Sequence, residues 1–266
     1  MKIAYYPGCT LKNKARDLDR YARETAAVLG YEFEEIETWQ CCGGAYTSAK
    51  DEIATKLAAV RALAAGRDGG GRVLTVCSAC YNVLKQTNHE FAVNPDFDRR
   101  VSNYFRSRKD EPEYHGEGSV LHYLELLRDE IGFDAVKAKV KNPFKGRKIA
   151  AYYGCLLLRP STVLAFDDPE NPSVMEDLIR AVGAEPVIWP MRNECCGGYL
   201  TLEDRAAAEK RSEAVASSAK ELGADFMVTA CPLCLYNLTR HAQTDIPVRY
   251  FTDVLAEAMG LKEEAK

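Results

Sequence analysis

Ten cysteines are the residues of this chain best suited to chemistry, and they fall into two sets of five. The first set reads YYPGC ending at Cys9, WQCCGG with Cys41 and Cys42, and VLTVCSAC with Cys77 and Cys80. The second reads YYGC ending at Cys155, NECCGG with Cys195 and Cys196, and MVTACPLC with Cys231 and Cys234. Cys41 and Cys195 stand 154 positions apart (195 less 41), as do the three later pairs, whereas Cys9 and Cys155 differ by 146. No cysteine is left over. A chain of 266 residues, 47% of them hydrophobic, buries a full core without disulfide staples. Thiolates are ligands for soft metals and for iron–sulfur clusters, so metal or redox chemistry is expected.

Four thiolates fill a tetrahedral zinc site or an ordinary cubane or two-iron cluster, so five per set is one too many. The doublets sharpen the point, because adjacent residues of an extended chain face opposite sides. Gly43-Gly44 and Gly197-Gly198 follow the doublets and tolerate positive φ, which can bend the backbone until both sulfurs face one larger or irregular group. Zinc in at least one half is an alternative. So is a thioredoxin-like pair at Cys77/Cys80 or Cys231/Cys234, which leaves the other six cysteines idle, and so are plain buried thiols. The complete repeat favours clusters.

The elements that must position these sulfurs are also written twice. The runs KIAYY (2–6), RVLTV (72–76), KIAAYY (148–153) and DFMVTA (225–230) predict strands, each stopping at or near a cysteine. Helical periodicity follows the doublets over Ala49–Ala65 and Leu202–Leu222. Each half thus predicts strand, Cys, helix, strand, Cys-Cys, helix, strand, Cys-x-x-Cys, helix. The fold class is α/β: two similar repeats, each a small parallel sheet flanked by helices, with the clusters at the carboxyl ends of the strands. We expect an N-terminal repeat over 1–118, a connecting helical segment over 119–147 and a C-terminal repeat over 148–266. Asn94–Gly118 is expected to be irregular and Val120–Gly132 to be an amphipathic segment. Gly69-Gly70-Gly71 is a turn rather than a phosphate loop, since it lacks the Gly-Lys-Ser/Thr ending.

A net charge of -4 gives no basic excess, which argues against a nucleic-acid partner. The N-terminus lacks the apolar region of a secretory signal, and no stretch approaches twenty uninterrupted apolar residues. A cytoplasmic chain without a membrane span of its own is expected.

The pattern Cys, 31 residues, Cys-Cys-Gly-Gly, 34 residues, Cys-x-x-Cys, with its counterpart of 39 and 34, resembles the doubled cysteine-rich CCG domain of the B subunit of heterodisulfide reductase. The match spans nearly the whole chain. The resemblance implies two non-cubane [4Fe-4S] clusters, one on Cys9, Cys41, Cys42, Cys77 and Cys80 and one on Cys155, Cys195, Cys196, Cys231 and Cys234. It implies a disulfide substrate, such as that of coenzyme M and coenzyme B in methanogenesis, split between the clusters into two thiols. It also implies partner subunits of the ferredoxin-like C type and the flavin-containing A type. Zinc would occupy a site only where a cluster is lost or replaced. No ferredoxin-type Cys-x2-Cys-x2-Cys-x3-Cys run is present, so electrons must come from a partner. The alternative is an electron-transfer subunit of a quinone-linked or other oxidoreductase that binds no disulfide.

Four histidines remain: His89, His115, His122 and His241. His122 and Glu125, three apart, are expected on one helix face, where they could pass a proton to a product thiol. Lys12 and Arg159 follow the first cysteine of each set and are candidates for an anionic substrate. Tyr81 and Tyr236, after each Cys-x-x-Cys, are expected to pack around the clusters.

Overall fold

The inner strands are runs of four or five residues, KIAY, RVLT, KIAAY and FMVT, buried on both faces beyond their first residues, as suits a parallel sheet covered by helices. The computed structural model describes residues 1–44, 53–109 and 111–262. Four strands, β1 (Lys2–Tyr5), β2 (Glu32–Glu35), β3 (Arg72–Thr75) and β4 (Ser119–His122), form one parallel sheet in the order β2-β1-β3-β4. Four more, β5 (Lys148–Tyr152), β6 (Glu185–Val187), β7 (Phe226–Thr229) and β8 (Val248–Tyr250), repeat it as β6-β5-β7-β8. The expected α/β repeats are present.

The strand order decides where the cysteines go. The chain leaves β1 for β2 on one side and later returns to β3 on the other, so β1 and β3 flank the crevice where the order reverses, the usual ligand position of such sheets. Cys9 follows β1 and Cys77 follows β3. Cys155 and Cys231 follow β5 and β7 in the same way.

Three expectations are corrected. Pro95–Arg106 is a helix inside the stretch read as irregular: Asn94 caps it, and Phe97, Val101 and Phe105 recur every four residues on its buried face. The charges between them lie on the other face and hid the period. Ser119–His122 is a strand rather than the start of an amphipathic helix, because Val120 pairs with Val73 and its neighbours continue the ladder. It therefore lies in the first sheet, within the segment read as a helical connection. Finally, the helix after the first doublet spans Ile53–Asp68; the part of that expectation over 49–52 lies outside the described residues.

The halves meet at the starts of the two Cys-x-x-Cys helices, Ser78–Val93 and Pro232–His241. Ser78 donates both its backbone N–H (3.1 Å) and its hydroxyl (2.8 Å) to the carbonyl of Ala230. Pro232 stands where Ser78 stands in the other repeat and has no N–H to return the bond. The Tyr250 hydroxyl substitutes, bonding the Val76 carbonyl as well as that of Ala230 at 2.9 Å. Elsewhere the helix Phe251–Ala258 packs on Arg16–Val28, and Thr252 donates to the Leu18 carbonyl at 3.0 Å.

Tyr250→Phe removes that buried hydroxyl and is expected to cost about 1–3 kcal/mol in urea unfolding. Tyr31→Phe, whose hydroxyl meets Glu130 in an exposed bond, is the control and stays within about 0.5 kcal/mol of wild type.

Candidate metal centre

The five sulfurs of each set touch in the same sequence. In the first, Cys41 Sγ lies 3.4 Å from Cys9 Sγ, and Cys42 Sγ lies 3.6 Å from Cys80 Sγ. Cys41 interacts with Cys42, and Cys77 with Cys80. In the second, Cys155 adjoins Cys195, Cys195 adjoins Cys196, Cys196 Sγ lies 3.6 Å from Cys234 Sγ, and Cys234 adjoins Cys231. None of the ten is in a disulfide. Among the described residues no group of three or more His, Cys, Asp or Glu side chains surrounds a single metal-ion position; the sulfurs form a line of contacts instead. Five sulfurs in one run exceed the four that a tetrahedral zinc takes.

Glycines make room for the sulfurs. A Cβ on Gly8 would stand 2.7 Å from Cys80 Sγ, and one on Gly154 would stand 3.2 Å from Cys234 Sγ. Gly43 and Gly197, immediately after the doublets, have φ of +76° and +80°. The expected left-handed turn is therefore present in both halves.

Within each set the thiols shift one another's acidity. The Cys42 thiol is pulled down to about 3, first by its bond from Cys41 and then by that from Cys80. The same bonds push Cys41 and Cys80 up. In the second set Cys195 is lowered by Cys155 and then by Cys196, while Cys155 rises and Cys196 is pushed up to about 12. One thiolate in a crowded set is stabilised at its neighbours' expense. Ionising all five needs positive charge at the site, which metal ions supply.

The two sets are not equally held. Arg211 donates to the Cys195 carbonyl at 2.9 Å, and Asn237 (2.7 Å) and Ser212 (3.1 Å) both donate to the Cys196 carbonyl. The first repeat has Leu57, Ala58 and Val83 at the corresponding positions, and its Cys41 is exposed. The sets also touch one another. The Ala79 backbone N–H helps to lower the Cys231 thiol, after the larger effect of Cys234, and Tyr199 donates to the Gly44 carbonyl at 2.6 Å.

The side chains of the remaining candidates have partners other than the sulfurs. Lys12 pairs with Glu35 at 2.7 Å and Arg159 with Glu170 at 2.8 Å, both at the surface. His122 does not share a helix face with Glu125. It ends β4 and caps the following turn, its Nδ1 accepting from Leu124 N–H at 3.2 Å while Glu125 accepts from the His122 N–H at 2.8 Å. Burial lowers its pKa to about 3, so the ring is neutral. Tyr81 is buried, with its hydroxyl on Glu125 at 2.9 Å, but Tyr236 is 56% exposed and does not pack around a site. Sequence reading missed Tyr6 and Tyr152, the second aromatic of the Tyr-Tyr pair before Cys9 and the first of the pair before Cys155, both buried among the sulfurs. The shared Tyr-Tyr was the available signal.

The chain belongs to the cysteine-rich (CCG) domain family, whose model matches it twice, over residues 3–85 and 149–239. It is similar to the 8-methylmenaquinol:fumarate reductase membrane anchor subunit of Wolinella succinogenes, with 30% identity over 98% of this chain and 93% of that one. A protein of Archaeoglobus profundus, described as like the B subunit of heterodisulfide reductase, is 29% identical over 99% of this chain and 92% of its own. These whole-length relatives place the chain among subunits of oxidoreductases. The fold is shared with a hypothetical protein from Helicobacter pylori (TM-score 0.72, 14% identity), of which this chain spans 49% while 98% of its own length is matched. Among the described residues no helix is long and apolar enough to cross a membrane.

Gly8→Ala is expected to lose metal from the first set, because its Cβ meets Cys80 Sγ. Gly30→Ala, at φ +86° with nothing within 4 Å of its Cβ, is the matched control. Both should lose about 1–2 kcal/mol of stability to the left-handed backbone. Only Gly8→Ala should lower the metal content, read by elemental analysis after anaerobic isolation.

Proposed function

We propose that this chain is the iron–sulfur subunit of an oxidoreductase complex of the heterodisulfide reductase type, and that it reduces a disulfide to two thiols. The observation that carries this reading is the pair of equivalent five-sulfur sets in contact through Ala79 and Cys231. Cys9, Cys41, Cys42, Cys77 and Cys80 would hold one non-cubane [4Fe-4S] cluster, and Cys155, Cys195, Cys196, Cys231 and Cys234 the other. When bound, such clusters supply electrons and iron that can ligate sulfur. The protein's part is to keep two sites at a fixed spacing. Gly8 and Gly154 leave the sulfurs room, the doublet glycines turn the backbone, and Ser78 and Tyr250 lock the halves together.

Cleavage of one disulfide takes two electrons and two protons and yields two thiols. Two facing sites accommodate both sulfurs, so neither leaves as a free thiolate before the other is held. Electrons would come from a ferredoxin-like subunit, itself served by a flavin-containing one. A second reading is favoured by the similarity to a menaquinol:fumarate reductase subunit. There the two sites relay electrons in series and bind no disulfide.

Anaerobically isolated protein is expected to carry about eight iron atoms per chain, as two four-iron groups. Zinc in both halves would defeat the reading. Cys41→Ala and Cys195→Ala should each abolish thiol release from a disulfide with an artificial reductant, as one site alone cannot hold both sulfurs. Turnover above roughly a tenth of wild type (a loss under about 1.4 kcal/mol) in a variant shown to lack one cluster would instead establish the relay.

A further inference from the structure

Tyr6 and Tyr152 play the same part in the two repeats, one standing a step beyond β1 and the other at the end of β5. Both are fully buried. Each phenol donates to the carbonyl of the residue immediately before a cysteine doublet: Tyr6 to Gln40, and Tyr152 to Glu194 at 2.7 Å. Each ring also lies against the glycine that precedes the first cysteine of its set, 3.6 Å from the Cβ position of Gly8 and 3.5 Å from that of Gly154.

Each ring further packs on a tryptophan, Tyr6 on Trp39 (5.7 Å between centroids) and Tyr152 on Trp189 (6.0 Å). These are the two tryptophans of the chain. Trp39 stands one residue before Gln40, whereas Trp189 stands five before Glu194. Loops of different length thus bring an indole to the same phenol, so the pairing is not a by-product of register.

We propose that Tyr6 and Tyr152 are positioning residues for the cysteine doublets: each phenol fixes the peptide that enters its doublet and so turns two successive sulfurs toward one group. The inference rests on the cluster-bearing reading given above. Successive side chains of an extended segment diverge. The positive-φ glycine bends the chain after the doublet, and the phenol holds it before the doublet. Without the second anchor the Gln40–Cys41 and Glu194–Cys195 peptides lose the bond that fixes the carbonyl entering the doublet, and the first sulfur is held less firmly in its direction. Groups behind the ligands commonly set ligand orientation and metal affinity in this way.

The test uses the full chain, reconstituted anaerobically with iron(II) and sulfide, as wild type, Tyr6→Phe and Tyr152→Phe. Phenylalanine keeps the ring against its tryptophan and removes only the hydroxyl. Iron release to a chelator and the electron paramagnetic resonance spectrum of the reduced protein are recorded. In each variant about half of the iron should leave roughly 10–100-fold faster while the rest leaves at the wild-type rate, and only one of two spectral components should shift. p-Aminophenylalanine at position 152, which restores a donor, should restore slow release. Tyr5→Phe loses a hydroxyl bonded to Asp19 at 2.6 Å, away from the doublet, and should leave both phases unchanged. Should one variant fail to fold, the variant in the other half carries the test. Release at the wild-type rate in the folded Tyr→Phe variants, or equal acceleration in Tyr5→Phe, would overturn the proposal while the cluster reading stands. A wild-type chain that takes up no iron overturns both.

Discussion

Parallel pairing of β1 with β3, and of β5 with β7, is the constraint on which the rest of the molecule depends. Ala4 faces Val73 and Tyr5 faces Leu74 in the first sheet, while Ala151 faces Val228 and Tyr152 faces Thr229 in the second. Strands side by side and pointing the same way end side by side. The first cysteine of each set and its Cys-x-x-Cys are thereby delivered to one crevice, although 67 positions separate Cys9 from Cys77 (77 less 9, less one). The doublet arrives from the edge strand, β2 or β6, by a loop. It therefore needs the anchors that the other cysteines obtain from their strands: a positive-φ glycine behind it and a buried phenol ahead of it.

The junction between repeats shows how a duplicated chain breaks its own symmetry. Ser78 donates across the interface, whereas Pro232 cannot, and Tyr250 fills the vacant bond from β8. The position equivalent to Tyr250 in the first sheet is His122, since Thr75 faces His122 as Thr229 faces Tyr250. His122 is buried and neutral and stacks near Phe251, Phe166 and Tyr81, with the Val76 carbonyl beside its ring. The sulfur sets differ in the same spirit, with the second doublet held by Arg211, Ser212 and Asn237 and the first more open to solvent.

Membership of the cysteine-rich family, with relatives in both a quinol:fumarate reductase and a heterodisulfide reductase-like protein, leaves one architecture serving two kinds of electron chemistry. In this chain the two doublet loops touch where Tyr199 donates to the Gly44 carbonyl.

Much of this was legible in the chain alone. Ten cysteines in two matched sets, strands that stop at those cysteines and glycines after each doublet are local features, written in residue type and spacing, and they specified two α/β repeats with a sulfur site apiece. The strands β4 and β8 were not legible, since SVLH and VRY are too short to show a period and become strands only by pairing with β3 and β7. The role of Tyr6 and Tyr152 was equally hidden: it depends on carbonyls 34 and 42 positions away, and no local pattern records a hydrogen bond across that distance. Lys12 and Arg159 read as candidates for an anionic substrate, and their partners Glu35 and Glu170 approach only in the folded chain. Sequence by itself determined that the candidate sulfurs come in two matched sets of five. Tertiary structure alone decided how the sets face each other and which buried groups hold them, because those contacts join residues that only folding brings together.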